Sequence, residues 1–242
     1  MVLCCCTAFA SPFAADAQQG KKPTIGVLMP ANTEIFLGRF QDALRELGYV
    51  GAQTCFFEIR SAEGRPDLLP GLAAELVRLK VDVIVANQTP AVQAAKHATR
   101  EIPIVMASAA DPVGSGLIAS LARPGGNVTG LSATTAETAI KNLELVREAL
   151  PSARRIAVLA NAADPFSKTF IDQLEVAGRA MNIVILPILV HRAEELDAAF
   201  AELDRARTDA VIVQPSLPRK RAVDLALKRR LPMVSPTRQF GE

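Results

Sequence analysis

From Thr24 onward the chain alternates between short apolar runs and longer stretches in which apolar residues return every three or four positions. The runs Thr24–Met29, 54–59, 81–86 and 102–107 read as strands buried on both faces. Between them, Phe36, Phe40, Ala43, Leu44 and Leu47 mark a helix closed by Gly48. Leu69, Leu72, Ala73 and Leu76 mark a second helix behind Pro66, and residues 90–99 a third. Residues 117–122 read as one more short helix, stopped by Pro124-Gly125-Gly126. After Gly130 the alternation restarts. Ala139, Leu143, Val146 and Leu150 line a helix ended by Pro151, and 155–160 is a strand. Phe166, Phe170, Leu174, Ala177 and Met181 line a helix, and 183–188 is a strand. Leu196, Ala199, Phe200 and Leu203 line a helix, Ala210–Val213 is a strand, Arg219–Arg229 a helix, and 233–235 a last strand. Apolar strands separated by helices predict parallel sheets with helices on both faces. The fold class is therefore α/β: two doubly wound parallel-sheet lobes of about four strands each. The lobes are expected at 22–130 and 131–242, with a hinge near residues 127–134.

In open parallel sheets, ligands sit outside the carboxyl ends of the strands. The residues that follow the strands are Asn87-Gln88-Thr89-Pro90, Ser108-Ala109-Ala110-Asp111-Pro112, Asn161-Ala162-Ala163-Asp164-Pro165 and Gln214-Pro215-Ser216-Leu217-Pro218. Thr89-Pro90, Asp111-Pro112 and Asp164-Pro165 each fit a capping side chain followed by proline in the first helical turn. A helix that starts at a strand's carboxyl end also turns its free N–H groups toward the crevice, where they favour an anion. The segments Met106 to Pro112 and Leu159 to Pro165 are nearly the same heptapeptide, one local solution used twice.

Composition narrows the function. Half of the 242 residues are apolar and 21% are charged, which is globular. A formal charge of +2, one Tyr and no Trp give neither the field nor the stacking surface of a nucleic-acid binder, so no nucleic-acid partner is expected. Two His and four Cys, three of them adjacent at Cys4 to Cys6, make neither a metal site nor a disulfide framework. No metal and no cofactor is expected. Met1 to Gly20 has no Lys or Arg. Its apolar stretch ends near Phe13, and Ala15-Asp16-Ala17 has the small-x-small spacing that signal peptidase accepts. Residues 1–17 are thus expected to be a signal peptide lacking its basic start, with Gln18 opening the mature chain. No apolar stretch precedes Cys4 to Cys6 in this sequence, so a lipoprotein anchor at these cysteines is not expected. Cys55 reads as a small apolar strand residue. No later apolar run is long enough to span a bilayer, so a soluble mature chain is expected.

Signals for catalysis are thin. Gly114 to Ala119 matches a G-x-G-x-x-A pattern but follows a fourth strand after a long loop, not the first strand of a βαβ unit. No phosphate-binding G-x-x-x-x-G-K-[ST], nucleophile elbow or H-E-x-x-H is present. His97 lies among Lys96 and Arg100, and His191 lies beside Arg192. Neither has an evident carboxylate or nucleophile partner. Arg219, Lys220, Arg221, Lys228, Arg229 and Arg230 read as a solvated basic face. No enzyme is expected.

One phrase is more specific. Ser120 to Gly130 (SLARPGGNVTG), with Asp111-Pro112-Val113 before it and Leu131-Ser132 after it, resembles the signature of the ABC-transporter substrate-binding proteins of tryptophan/tyrosine-binding type. Ile25 to Leu28, Phe40 to Tyr49 (FQDALRELGY) and Ala17-Gln18-Gln19 resemble the same family, and the likeness covers residues 22–242. It implies a type I periplasmic-binding-protein fold, monomeric and extracytoplasmic, which closes on a small molecule at a hinge. The partners it implies are an ABC permease and its ATPase. The implied ligand is an amino acid, aromatic in known members, or a related carboxylate. Its carboxylate would rest on Thr89 and the Ser108 to Asp111 loop, its ammonium on Asp111, Asp164 or another acid, and its side chain on Phe166. The candidate ligand-binding residues are Asn87, Thr89, Ser108, Ala109, Asp111, Thr134, Asn161, Asp164, Phe166, Pro215 and Ser216. Family members cross between lobes three times and return to finish the first lobe, whereas this sequence shows one crossing and stops at Arg238 to Glu242. An exposed sheet edge, uncovered apolar surface and weak ligand binding are therefore expected. Two other readings share parts of the pattern. An effector-binding regulator core would need a helix-turn-helix that residues 1–24 do not supply. A doubly wound enzyme would need a glycine pair after the first strand, where Pro30-Ala31-Asn32-Thr33 has none.

Overall fold

The structure is a computed structural model that describes residues 21–31 and 34–236. The expected leader at 1–17 with Cys4 to Cys6, part of the Pro30 to Thr33 turn, and Arg238 to Glu242 lie outside the described residues. In chain order the elements are β1 (Thr24–Met29), α1 (Glu34–Glu46), β2 (Phe56–Ser61), α2 (Leu69–Arg78), β3 (Val83–Ala86), α3 (Thr89–Ala98), β4 (Ile104–Ala110) and β5 (Val128–Ala133). They continue with α4 (Thr135–Ala149), β6 (Arg155–Asn161), α5 (Ser167–Ala180), β7 (Val184–Val190), α6 (Leu196–Ala206), β8 (Ala210–Val213), α7 (Arg219–Arg229) and β9 (Met233–Val234).

Two parallel sheets result, as the alternation predicts. The first runs β2-β1-β3-β4-β5 and the second β7-β6-β8-β9. In each, the second strand in sequence lies on one side of the first and all later strands lie on the other. The strand order therefore switches between β1 and β3 and again between β6 and β8, where a crevice opens at the carboxyl ends.

Each sheet is held by apolar faces. Leu28, Ile84, Ile104 and Met106 pack under Leu76, Ala91 and Val92 of α2 and α3. On the opposite face Val27, Met29 and Val85 meet Phe36, Phe40 and Leu44 of α1. That cover is thinner: no residue of α1 is fully buried, although Phe36 and Phe40 stack at 5.9 Å. The second sheet is covered on both faces, by Leu143 and Phe170 of α4 and α5 and by Phe200, Leu203 and Leu225 of α6 and α7.

Three expectations change. Residues 117–122 form no helix. Leu117 and Ile118 are instead buried in the first core as irregular chain. The junction near 127–134 is β5, which extends the first sheet to Ala133, past the division drawn at 130/131. Strand β4 also runs through Ser108 to Ala110, beyond the strand end expected at 107. Gly130 explains how β5 docks: its φ is +133°, and a Cβ there would stand 2.2 Å from the Met106 carbonyl oxygen. Cys55, the one cysteine among the described residues, is buried.

Candidate ligand-binding site

The carboxyl ends of β3, β4, β6 and β8 surround a cavity of about 580 Å³ between the sheets. It is lined by Asn87, Gln88 and Thr89 from the β3–α3 turn, Ala107, Ser108 and Ala110 from β4, and Ser132 to Thr135 with Thr138 from the β5–α4 turn. Asp164, Phe166, Gln214, Pro215 and Ser216 come from the second sheet, with Arg39 of α1 and Arg219 of α7. A second recess of about 800 Å³ shares Gln88, Pro215, Ser216 and Arg219 with it as a common wall, and contains Glu34, Glu63, Lys220, Arg221 and Asp224. The wall is tied across the sheets: Gln88 Nε2 donates to the Pro215 carbonyl at 3.3 Å.

The first-sheet side is built around two residues. Thr89 is buried at the start of α3, and its Oγ1 accepts the Ala110 N–H at 3.0 Å, pinning the end of β4 to α3. Gln88, not Thr89, occupies the N-cap position, at φ +69° and ψ +157°, a region that strongly favours glycine. Its Oε1 is buried and has no hydrogen-bond partner among the described residues. Asn87 is buried, and its N–H completes the β1–β3 ladder at Leu28. The register of β4 against β5 slips between Met106 and Ala109, as at a bulge, and leaves Ser108 exposed on the cavity side. Thr134 starts α4 from an exposed position. Its carbonyl accepts both the N–H and the hydroxyl of Thr138, and its own side chain makes no cap.

The second-sheet side rests on a buried polar network. Gln214, 1% exposed, accepts the Asn161 N–H at 2.8 Å on Oε1 and donates from Nε2 to Asp164 Oδ2 at 2.9 Å. The Ser167 hydroxyl lies between Gln214 Oε1 and the Asn161 carbonyl, at 2.8 and 2.5 Å. Asp164 Oδ1 accepts the Phe166 N–H at 3.0 Å. Burial pushes the Asp164 carboxyl up to about 6, while the Ser216 hydroxyl and the Phe166 N–H pull the other way. The Ser216 Oγ is itself buried beside Asp164 and has no partner within hydrogen-bond limits among the described residues. Phe166, 2% exposed, serves both cavity and core: it lines the cavity and packs on Phe170 at 6.0 Å.

Of the residues expected from the sequence, the cavity brings together Asn87, Thr89, Ser108, Thr134, Asp164, Phe166, Pro215 and Ser216. Three expectations are corrected. Ala109 points into the first core, where its side chain is fully buried. Asp111 starts no helix and does not line the cavity. At φ +40°, its Oδ1 accepts the Gly114 N–H at 2.9 Å instead. Asn161 stands behind the cavity, with Nδ2 donating to the Ser216 carbonyl at 3.3 Å. Gln88, Gln214, Arg39 and Arg219 also line the cavity and are not among the candidates expected from the sequence. The two glutamines stand in the strand-end quartets and were open to reading there. Arg39 is far from any strand end in sequence, and only the packing of α1 brings it in. Arg219 belongs to the helix read as a solvated face, yet burial holds its guanidinium below the ordinary value. Among the described residues no group of three or more His, Cys, Asp or Glu could hold a metal, and no helix is long and apolar enough to cross a membrane.

Residues 25–220 match the family described as ABC transporter substrate binding protein. The chain belongs to that family. A curated relative, the tyrosine-binding protein of Clostridioides difficile (strain R20291), is 34% identical over 164 residues, which are 68% of this chain and 47% of that protein. The chain thus spans about half the length of the curated relative it matches. A conserved domain protein of Vibrio cholerae O1 biovar eltor has the same fold at a TM-score of 0.82 and 23% identity, over 91% of this chain and 76% of its own. The ABC domain from Streptococcus pneumonia in complex with L-Trp follows at 0.80 and 24%, over the same shares, 91% and 76%. The fold of this substrate-binding protein is that of the type I periplasmic binding proteins.

Proposed function

We propose that the chain is the extracytoplasmic solute-binding component of an ABC importer, exported by its leader and monomeric, with no catalytic role. Its two sheets act as lobes that hinge about the β5–α4 turn, close on one small carboxylate and present it to a permease with its ATPase. The ligand class is an amino acid, as the name of the tyrosine-binding relative suggests, or a related carboxylate.

The observation that carries this reading is a cavity between two sets of strand carboxyl ends whose wall holds buried polar atoms with no hydrogen-bond partner among the described residues, Gln88 Oε1 and Ser216 Oγ. Buried polar atoms normally find partners, and a ligand that supplied them would bind through contacts present only when both lobes are engaged. The starts of α3, α4 and α7 line the same space and offer N–H groups to a carboxylate. The Gln88 bond to Pro215 then reports the approach of the lobes. A thermal-shift screen of the twenty amino acids and their deaminated analogues tests the reading. A ligand of the folded state raises the Tm, by about 2.7 kcal/mol of added stability at a hundredfold excess over Kd. A flat response across carboxylates, with amines or sugars shifting the Tm instead, refutes it.

A further inference from the structure

The bond from Gln88 to the Pro215 carbonyl joins the turn after β3 in the first sheet to the turn after β8 in the second. Gln88 makes it from φ +69° and ψ +157°, where a Cβ is disfavoured and glycine sits freely. A side chain stays in such a region only where its surroundings fix the backbone. Here they do. The Asn87 N–H donates to the Leu28 carbonyl at 3.0 Å, the Val92 N–H donates to the Gln88 carbonyl at 3.2 Å, and Thr89 Oγ1 accepts the Ala110 N–H at 3.0 Å. The acceptor is fixed as well. On one side of Pro215 the Gln214 N–H donates to the Leu159 carbonyl at 2.9 Å, and on the other Asn161 Nδ2 donates to the Ser216 carbonyl at 3.3 Å. The Gln88 side chain thus spans two rigid turns, one in each lobe.

The lobes also meet farther out. Pro218 and Ala193 of the second lobe approach Gly64 of the first so closely that a Cβ there would lie 3.2 Å from Pro218 Cγ and 3.5 Å from Ala193 Cβ. That contact is between small apolar groups and has no direction. The Gln88 bond is directional and stands in the wall that the cavity shares with the recess. Glycine at position 88 would remove the strain and the bond together, so the strain comes with carrying a side chain that reaches the other lobe. Resting on the reading that the lobes hinge, we propose that Gln88 is a latch: a positioning residue that biases the lobes toward closure before a ligand arrives, at the expense of fold stability. One neutral hydrogen bond is worth roughly a twofold to tenfold change in the ratio of closed to open chains.

Single-molecule fluorescence energy transfer on the full chain, without ligand, reads that ratio. The dyes sit on unnatural side chains at Glu46 of α1 and Lys228 of α7, both exposed. Gln88→Met keeps the bulk and the strained backbone but has no donor, whereas Gln88→Gly loses both the donor and the strain. Both variants are expected to shift the ratio toward open chains by roughly twofold to tenfold. Gln88→Gly is expected to melt above Gln88→Met by roughly 2–4 °C. A residue that only supports the fold would move closure and Tm in the same direction, and a latch moves them apart. Ala193→Trp, which presses on Gly64 outside the cavity, is the control for hinge motion. If it opens the chains and neither Gln88 variant does, the latch is overturned and the hinging lobes stand. If none of the three opens the chains, both are overturned. A Gln88→Gly chain that melts no higher than Gln88→Met overturns the strain on which the latch rests.

Discussion

Replacing Gln214 by leucine removes the centre of the buried network while keeping apolar bulk. The structure says what is lost. The Asn161 N–H, held at 2.8 Å, is left buried without an acceptor, at a cost of about 1–3 kcal/mol. Asp164 Oδ2 loses its Nε2 donor at 2.9 Å, a bond to a charged group worth about 1.5–3 kcal/mol when the carboxyl is ionised. The Ser167 hydroxyl loses little, since the Asn161 carbonyl remains within reach. The total is about 4 kcal/mol at pH 8, and it depends on pH for a definite reason. The Asp164 carboxyl is raised in the fold to about 6, from 3.8. Between those values the native state binds more protons than the unfolded state, so stability falls as pH rises through the window and is level above it. At pH 4.5 the carboxyl is protonated, the charged part of the loss disappears, and about 2 kcal/mol remains from the orphaned N–H. Urea unfolding followed by far-ultraviolet circular dichroism at pH 4.5 and pH 8 measures both numbers. Gln214→Glu should be the mirror case, poor at pH 8 where two carboxylates face each other and much recovered at pH 5. An equal loss for Gln214→Leu at the two pH values would refute the reasoning, because it would leave the Gln214–Asp164 contact with no energetic role.

Further outcomes follow from the same geometry. In the unsubstituted chain, the shift of Asp164 from 3.8 to about 6 should cost about 2 kcal/mol of stability between pH 4 and pH 6.5, and Asp164→Asn should lower stability at acid pH while flattening that slope in urea titrations. Gly130→Ala places a methyl against the Met106 carbonyl and should cost about 3 kcal/mol or more, read as a lower Tm with β5 amides exchanging early. Thr89→Val keeps the shape of the α3 start but leaves the Ala110 N–H without its acceptor, a loss of about 1–3 kcal/mol with faster hydrogen exchange at Ala110. Phe170→Ala opens a cavity beneath Phe166 and should cost about 3–5 kcal/mol in urea unfolding.

Most of the two sheets was legible because their strands are buried on both faces and so appear as unbroken apolar runs: β1, β6 and β8 read directly. Strand β5 did not, because it is an edge strand. Of its six residues only Val128 is buried, Leu131 is 69% exposed, and Gly130 sits where a strand pattern should carry a side chain. The false helix at 117–122 has the opposite cause, since Leu117 and Ile118 are buried without a helix to carry them. A run of apolar residues reports burial more surely than it reports hydrogen bonding.

The site shows a finer limit. Met106 to Pro112 and Leu159 to Pro165 are almost the same sequence, and the aspartate before proline was read alike in both. The structure separates them by a residue outside the shared heptapeptide. Three positions after Asp111 stands Gly114, and the turn folds over it so closely that a Cβ there would lie 2.0 Å from Asp111 Oδ2. Three positions after Asp164 stands Ser167, whose Cβ cannot fit a turn closed in that way and whose hydroxyl instead joins Gln214 and the Asn161 carbonyl. The first carboxylate is therefore spent on its own loop, and the second is drawn under the cavity wall, where Gln214, fifty residues on, meets it. The helix-cap rule names the aspartates, but the next side chain along the turn decides which of them a ligand would approach.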